Sequence, residues 1–166
     1  MTNLTNLKEF TASSVQILNY FFLSTKNKQL QTNLYLCLIM QKLQQTIEHI
    51  WNNRELLSTD DAQNAIRTVI EEIDKGRLRT AQPSNEGWKV NDWVKKAVIL
   101  YFPIQKMETI EAGPLEFHDK MKLKTGYKEL GVRVVPHAIA RYGTYLAPGV
   151  ILMPSYVNIG AYVDSG

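Results

Sequence analysis

The chain has 166 residues, 45% hydrophobic and 21% charged, a balance that excludes a disordered chain and suits one ordinary domain or two small ones. Its formal net charge of +3 comes from 19 basic and 16 acidic residues that are interspersed, so no stripe for nucleic acid is expected. The single cysteine, Cys37, excludes an internal disulfide and has no partner at metal-ligand spacing, which points to a reducing, cytoplasmic setting.

Residues 1–39 are rich in Asn, Thr, Ser, Leu and Lys, with apolar clusters at 17–23 and 34–40. The stretch 10–25 carries no charge, but Thr11, Ser13, Ser14, Gln16 and Asn19 interrupt it. Neither a membrane span nor a secretory signal is expected from it. The segment reads in two ways: as a tether for a partner, or as a start placed ahead of a natural first residue at Met40.

From Met40 the pattern turns regular. Leu43, Ile47, Ile50 and Trp51 share one helical face, with Gln44, Gln45 and Glu48 opposite. His49, alone among them, reads as a surface residue. Ser58-Thr59-Asp60-Asp61 predicts a capped helix start, followed by the stripe Ile66, Val69, Ile70, Ile73 and a stop at Lys75-Gly76. Residues 78–82 predict a short strand, 83–87 a turn, and Trp88-Lys89-Val90 a return strand. Asn91 is expected to cap a third helix whose buried face holds Trp93, Val94, Ala97, Val98 and Tyr101, with Pro103 ending it. Lys95-Lys96 lies opposite that face and reads as solvated. Residues 104–130 are hard to read, beyond a turn at Gly113-Pro114. His118 and Asp119 are neighbours in sequence, which seldom face each other, and no serine or cysteine completes a triad with them.

Val132-Arg133-Val134-Val135-Pro136 predicts a strand with Arg133 on the side away from Val132 and Val134. A repeat then begins. Every sixth residue from Ile139 is apolar, namely Ile139, Tyr145, Ile151, Val157 and Val163, and small residues sit at Gly143, Gly149, Ser155 and Ala161. A period of six matches neither a helix nor a continuous strand. It predicts a chain that turns a corner at each repeat, with the apolar series pointing inward: a solenoid of the left-handed parallel β-helix type. The expected fold is therefore α+β, an α-helical N-terminal domain followed by the first coils of a left-handed parallel β-helix. The expected boundaries are an extension over 1–39, the helical domain over 40–131 and the start of the left-handed β-helix over 132–166.

Three stretches carry a resemblance. Trp93-Val94-Lys95-Lys96-Ala97-Val98, Arg133-Val134-Val135-Pro136 and the run from Leu152-Met153-Pro154-Ser155-Tyr156-Val157 through Asn158-Ile159-Gly160-Ala161-Tyr162-Val163-Asp164 resemble the bacterial tetrahydrodipicolinate N-succinyltransferases, a hexapeptide-repeat acyltransferase family. The resemblance covers roughly the final three-quarters of the chain and leaves out 1–39. It implies a cytoplasmic enzyme of lysine and diaminopimelate biosynthesis. Such an enzyme moves a succinyl group from the co-substrate succinyl-CoA to the amino group of the dicarboxylate. The resemblance also implies a homotrimer with active sites between neighbouring β-helices, and no bound cofactor; the charge pattern, hydropathy and cysteine count add the expectation of no nucleic acid, membrane or metal partner. Arg133 matches the family's substrate-binding arginine, and a guanidinium fork suits a carboxylate. His137 receives no role, and Arg141 reads as an outward coil residue.

The family pattern continues beyond Asp164 with further coils, a proton-handling aspartate and the CoA surface. This chain holds about one and a half coils where a solenoid generally needs about three repeats and a cap. The expectation is an N-terminal part, catalytically silent alone, with no catalytic residue in it. Two alternatives remain at the level of sequence: another hexapeptide acyltransferase, and a non-catalytic trimerisation or scaffold module.

Overall fold

The computed structural model describes residues 28–165, which fall in two compact units, Met1–Lys42 and Leu43–Gly166. Of the first unit, residues 28–42 are described and are helical. The reading of 10–25, and most of the reading of 1–39, lie outside the described residues. Helix α1 (Lys28–Asn52) begins well ahead of the periodicity noted from Leu43. In the second unit its Ile47 and Ile50 are buried.

A 3-10 turn (Arg54–Ser58) leads to α2 (Asp60–Asp74). Thr59 is the N-cap, its hydroxyl accepting from the Ala62 amide at 3.4 Å, with Asp60 and Asp61 in the first turn as the helix dipole favours. Ile66, Val69, Ile70 and Ile73 are all buried, as their spacing predicts, and Gly76 at φ +73° stops the helix. Helix α3 (Asp92–Tyr101) buries Val94, Ala97, Leu100 and Tyr101 against α2. Pro103 falls in a 3-10 turn (Phe102–Ile104) directly after it. Asn91 does not cap α3 with its side chain. Its amide instead donates to the Arg79 carbonyl at 2.8 Å and to Gln82 Oε1 at 3.2 Å, fixing the chain that leads into a hairpin.

That hairpin, β1 (Ala81–Ser84) with β2 (Gly87–Val90), is antiparallel and turns at Asn85-Glu86, so the first strand sits further along than 78–82. Residues 104–130 hold a second antiparallel hairpin, β3 (Glu108–Ala112) with β4 (Leu115–Asp119), turning at Gly113-Pro114.

Six two-residue strands follow: β5 (Arg133–Val134), β6 (Ile139–Ala140), β7 (Tyr145–Leu146), β8 (Ile151–Leu152), β9 (Tyr156–Val157) and β10 (Tyr162–Val163). Each of the first three pairs in parallel with the strand three places later, giving β5–β8, β6–β9 and β7–β10. The chain thus makes a three-sided coil that returns alongside itself. Val134 faces Leu152, Ala140 faces Val157, and Leu146 faces Val163 in register, and all six belong to the coil's own hydrophobic cluster.

The strict six-residue phase needs correction. The inward series is Val134, Ala140, Leu146, Leu152, Val157 and Val163. Ile139, Tyr145 and Ile151 precede inward residues and point to the other side of each short strand, Ile151 being 55% exposed. Leu152 and Val157 are five positions apart instead of six, because the corner Met153-Pro154-Ser155 is one residue short. That single deletion brings Val157 and Val163 into the inward phase. It also moves the left-handed corner from Ala161 to Gly160, at φ +89°, whereas Gly143 (+84°) and Gly149 (+87°) stand where the spacing places them. His137 takes the same left-handed conformation at φ +76° without being glycine.

A polar contact at the end of α2 joins the helices to the coil. Asp74, the last residue of α2, accepts from Lys124 Nζ at 2.7 Å and from the Gly143 amide at 2.8 Å with the same oxygen. Tyr142, the residue before Gly143, packs against the helical core. Burial, and then the carboxylates of Asp74 and Glu71, push its hydroxyl up to about 12. The neutral phenol is thus favoured in the folded state. Its contribution is full below the ordinary tyrosine value near ~10 and is lost as pH rises from there through about 12. The urea midpoint is expected to fall between pH 9 and 12, less steeply in Tyr142→Phe. Equal slopes would show that Tyr142 is not a source of the loss.

Candidate functional site

Rung partners in a parallel ladder put their side chains on the same face, so the coil presents three outer faces. On the β7–β10 face the rings of Tyr145 and Tyr162 lie 4.4 Å apart, with the Arg79 guanidinium 3.4 Å above Tyr162. The Gly76 backbone presses on Tyr145, so closely that a Cβ there would lie 2.5 Å from the ring. The segment after α2 therefore closes this face.

On the β6–β9 face Ile139 stands over Tyr156. Arg141 follows Ala140 and is committed: it donates to Asp119 Oδ2 at 2.6 Å and to Asn158 Oδ1 at 3.3 Å. Its guanidinium also lies 5.7 Å from the Tyr156 ring and 6.0 Å from that of Phe102. The expectation of an outward coil residue is refined, since this arginine ties the β3–β4 hairpin to the coil.

Among the described residues, nothing covers the β5–β8 face. It carries Arg133 and, directly beside it in register, Ile151, both exposed. Arg133 is held by its backbone, its amide donating to the Val150 carbonyl at 3.0 Å. Among the described residues its guanidinium has no hydrogen bond or ion pair. Of the two coil arginines it is the one with all its donors available, in a fork geometry that matches a carboxylate. Met153, 62% exposed, continues this face around the short corner.

The other sequence candidates fall elsewhere. His118 and Asp119 point to opposite sides of β4: His118 Nδ1 lies 3.3 Å from the Thr109 hydroxyl, while Asp119 serves Arg141 and the Lys120 amide. His49 sits on the surface, 3.3 Å from the Asn53 amide group. Lys95 is exposed, and Lys96 lies 5.9 Å from the Trp51 ring. Sequence reasoning missed the Asp74–Lys124 pair. Lys124 stands in a stretch without periodicity, and nothing in its spacing marks it for burial. A cavity of about 220 Å³ opens beside the β3–β4 hairpin between Gln105, Lys120 and Thr125, with rim charges of both signs at Lys106 and Glu108. Among the described residues there is no cluster of three or more metal-ligating side chains, and no helix is long and apolar enough to cross a membrane.

Residues 42–104 match the family model described as tetrahydrodipicolinate N-succinyltransferase N-terminal. Over 137 residues the chain is 45% identical to a 2,3,4,5-tetrahydropyridine-2,6-dicarboxylate N-succinyltransferase of Paraburkholderia phymatum, covering 76% of this chain and 50% of that protein. Proteins of the same name from Acinetobacter baylyi (45% identical, 75% of this chain and 50% of that protein) and Paracidovorax citrulli (49%, 72% and 48%) are similar to it as well. The chain spans about half the length of the curated relatives it matches. With 45–49% identity over 72–76% of its length to these relatives, the chain belongs to the tetrahydrodipicolinate N-succinyltransferase family.

Proposed function

We propose that this chain carries the helical domain and first coils of an enzyme that transfers a succinyl group from succinyl-CoA to tetrahydrodipicolinate, on the route to diaminopimelate and lysine. In this reading 40–131 form the helical N-terminal domain, and 132–166 are the start of a left-handed parallel β-helix. The whole protein is then a cytoplasmic homotrimer with no bound cofactor. Arg133 binds one carboxylate of the dicarboxylate and holds it while the amine attacks the thioester. The amine must be unprotonated to attack, and the guanidinium helps by leaving it alone: a permanent cation binds the carboxylate and takes no part in the proton balance.

The observation that carries the assignment is the guanidinium of Arg133, exposed and without a hydrogen bond or ion pair among the described residues, in a chain whose relatives bear the name of a dicarboxylate-using enzyme. The ring-opened substrate is a seven-carbon dicarboxylate, so pimelate is a suitable probe. Titrating pimelate into the purified chain should shift the Arg133 side-chain Nε–H resonance. In Arg133→Ala the affinity should fall about tenfold or more, as for loss of a charge-assisted pair. Arg133→Lys should recover only part of it, because an ammonium lacks the fork. An affinity unchanged in Arg133→Ala would remove the assignment.

A further inference from the structure

We propose that Ile151 is a specificity residue, reading the aliphatic chain of the carboxylate that Arg133 holds. This rests on the proposed role of Arg133 and adds to it a criterion for which acids are accepted.

The geometry supplies the reason. Arg133 and Ile151 are register partners in the β5–β8 ladder, so their side chains leave the coil on the same face, one strand spacing apart, ~4.8 Å. Their neighbours Val134 and Leu152 take the inward positions, which commits both outer residues to solvent. An isoleucine 55% exposed is ordinary by itself. Its setting is not. The outer residues of the β7–β10 face are covered by the 76–79 segment, and the β6–β9 face is flanked by Arg141 and its partners. Among the described residues, only on the remaining face does a guanidinium without a polar partner stand beside an exposed aliphatic side chain, with Met153 extending the apolar strip past the corner.

A carboxylate gripped by Arg133 must direct its carbon chain away from the fork. Along the ladder toward β8, that chain meets Ile151 and then Met153 instead of a polar group. Methylenes laid there leave water, whereas a hydroxyl at the same place loses its hydration without a partner. The recognised class is therefore a linear acid whose chain is unsubstituted beyond the carbon that bears the bound carboxylate, as the middle methylenes of a seven-carbon dicarboxylate are. The one-residue shortening at Met153-Pro154-Ser155 leaves Ile151 outward, since it lies before the corner, and places Met153 at the turn itself.

The test is a chain-length series of dicarboxylates, from succinate through glutarate and adipate to pimelate, titrated into the purified chain and into Ile151→Ala. Arg133 Nε–H and the Ile151 methyls report by NMR, and circular dichroism checks that each variant is folded. In the unaltered chain affinity should rise by roughly three- to fourfold for each methylene that reaches Ile151. In Ile151→Ala the succinate affinity should be unchanged while the gradient flattens. A gradient that persists in Ile151→Ala overturns this proposal and leaves Arg133 as the binding group. An Arg133 resonance that answers no acid in any variant overturns both. A shift of oligomeric state in Ile151→Ala with the gradient intact also overturns it, and assigns the face to a second copy of the chain.

Discussion

Replacing Asp74 with alanine is expected to destabilise the protein by about 3–5 kcal/mol, a large share of what a domain of this size has. The magnitude follows from what the carboxylate leaves behind. Lys124, whose side chain is only 4% exposed, points its ammonium at Asp74 Oδ1 from 2.7 Å. Without that oxygen the cation stays buried and unpaired, and the Gly143 amide loses its acceptor at 2.8 Å. Asp74→Asn keeps an acceptor for Gly143 but not the charge, so it should recover only a minor part. The pair is costly to break, yet that does not make it a large net source of stability. Asp74 sits at the C-terminal end of α2, where a negative charge opposes the helix dipole, and both partners lose hydration. Asp74→Leu combined with Lys124→Met should therefore lie within about 1–2 kcal/mol of the unaltered protein. Urea midpoints at constant m-value compare the unaltered protein, Asp74→Leu, Lys124→Met and the double variant, the four corners of the cycle. A double variant as unstable as Asp74→Ala would assign the loss to packing instead of to the stranded charge.

The parts of this fold that could be read from sequence are those where one face is buried over several turns. Helix α2 announces itself because Ile66, Val69, Ile70 and Ile73 are all enclosed, and their spacing is the helical period itself. The β3–β4 hairpin leaves no such trace. Only Ile110, Phe117 and Asp119 on its two strands are even partly buried, so neither strand shows apolar alternation. Asn91 illustrates a different limit: an asparagine before a helix can cap it or can hold the preceding loop, and here the Arg79 carbonyl wins. The coil was legible as a coil, but its phase was not. Ile and Leu both occupy β8, and periodicity alone cannot say which faces in. The count resolves only once the corner at Pro154 is known to be short. For the site, apolar residues on both sides of Arg133 place it outward, whereas the six-residue spacing points Ile151 inward and it stands outside.

The same corners give the second large effect. Gly143→Ala is expected to cost about 2–5 kcal/mol, the sum of a left-handed backbone and an overpacked core. Gly143 has φ +84°, and a Cβ there would lie 2.7 Å from Ile159 Cγ1 and 2.9 Å from Ile70 Cγ2, closer than such atoms can approach. Neither neighbour can easily yield, since Ile70 is fully buried in α2 and Ile159 is 7% exposed. Gly149→Ala separates the two causes. It has nearly the same backbone, φ +87°, but nothing within 4 Å of the added carbon. It should lose only the conformational part, about 1–2 kcal/mol. His137 shows that the coil already tolerates a side chain at such a corner when the space around it is open, for it is exposed at φ +76°. Combining Gly143→Ala with Ile159→Ala should cost less than the two single losses added together, because the second change removes the atom that the first would strike. Equal losses at 143 and 149, or strict additivity with Ile159→Ala, would mean that the backbone alone sets the cost. In that case the close contact between the coil's corner and α2 would not be what holds Gly143 in place.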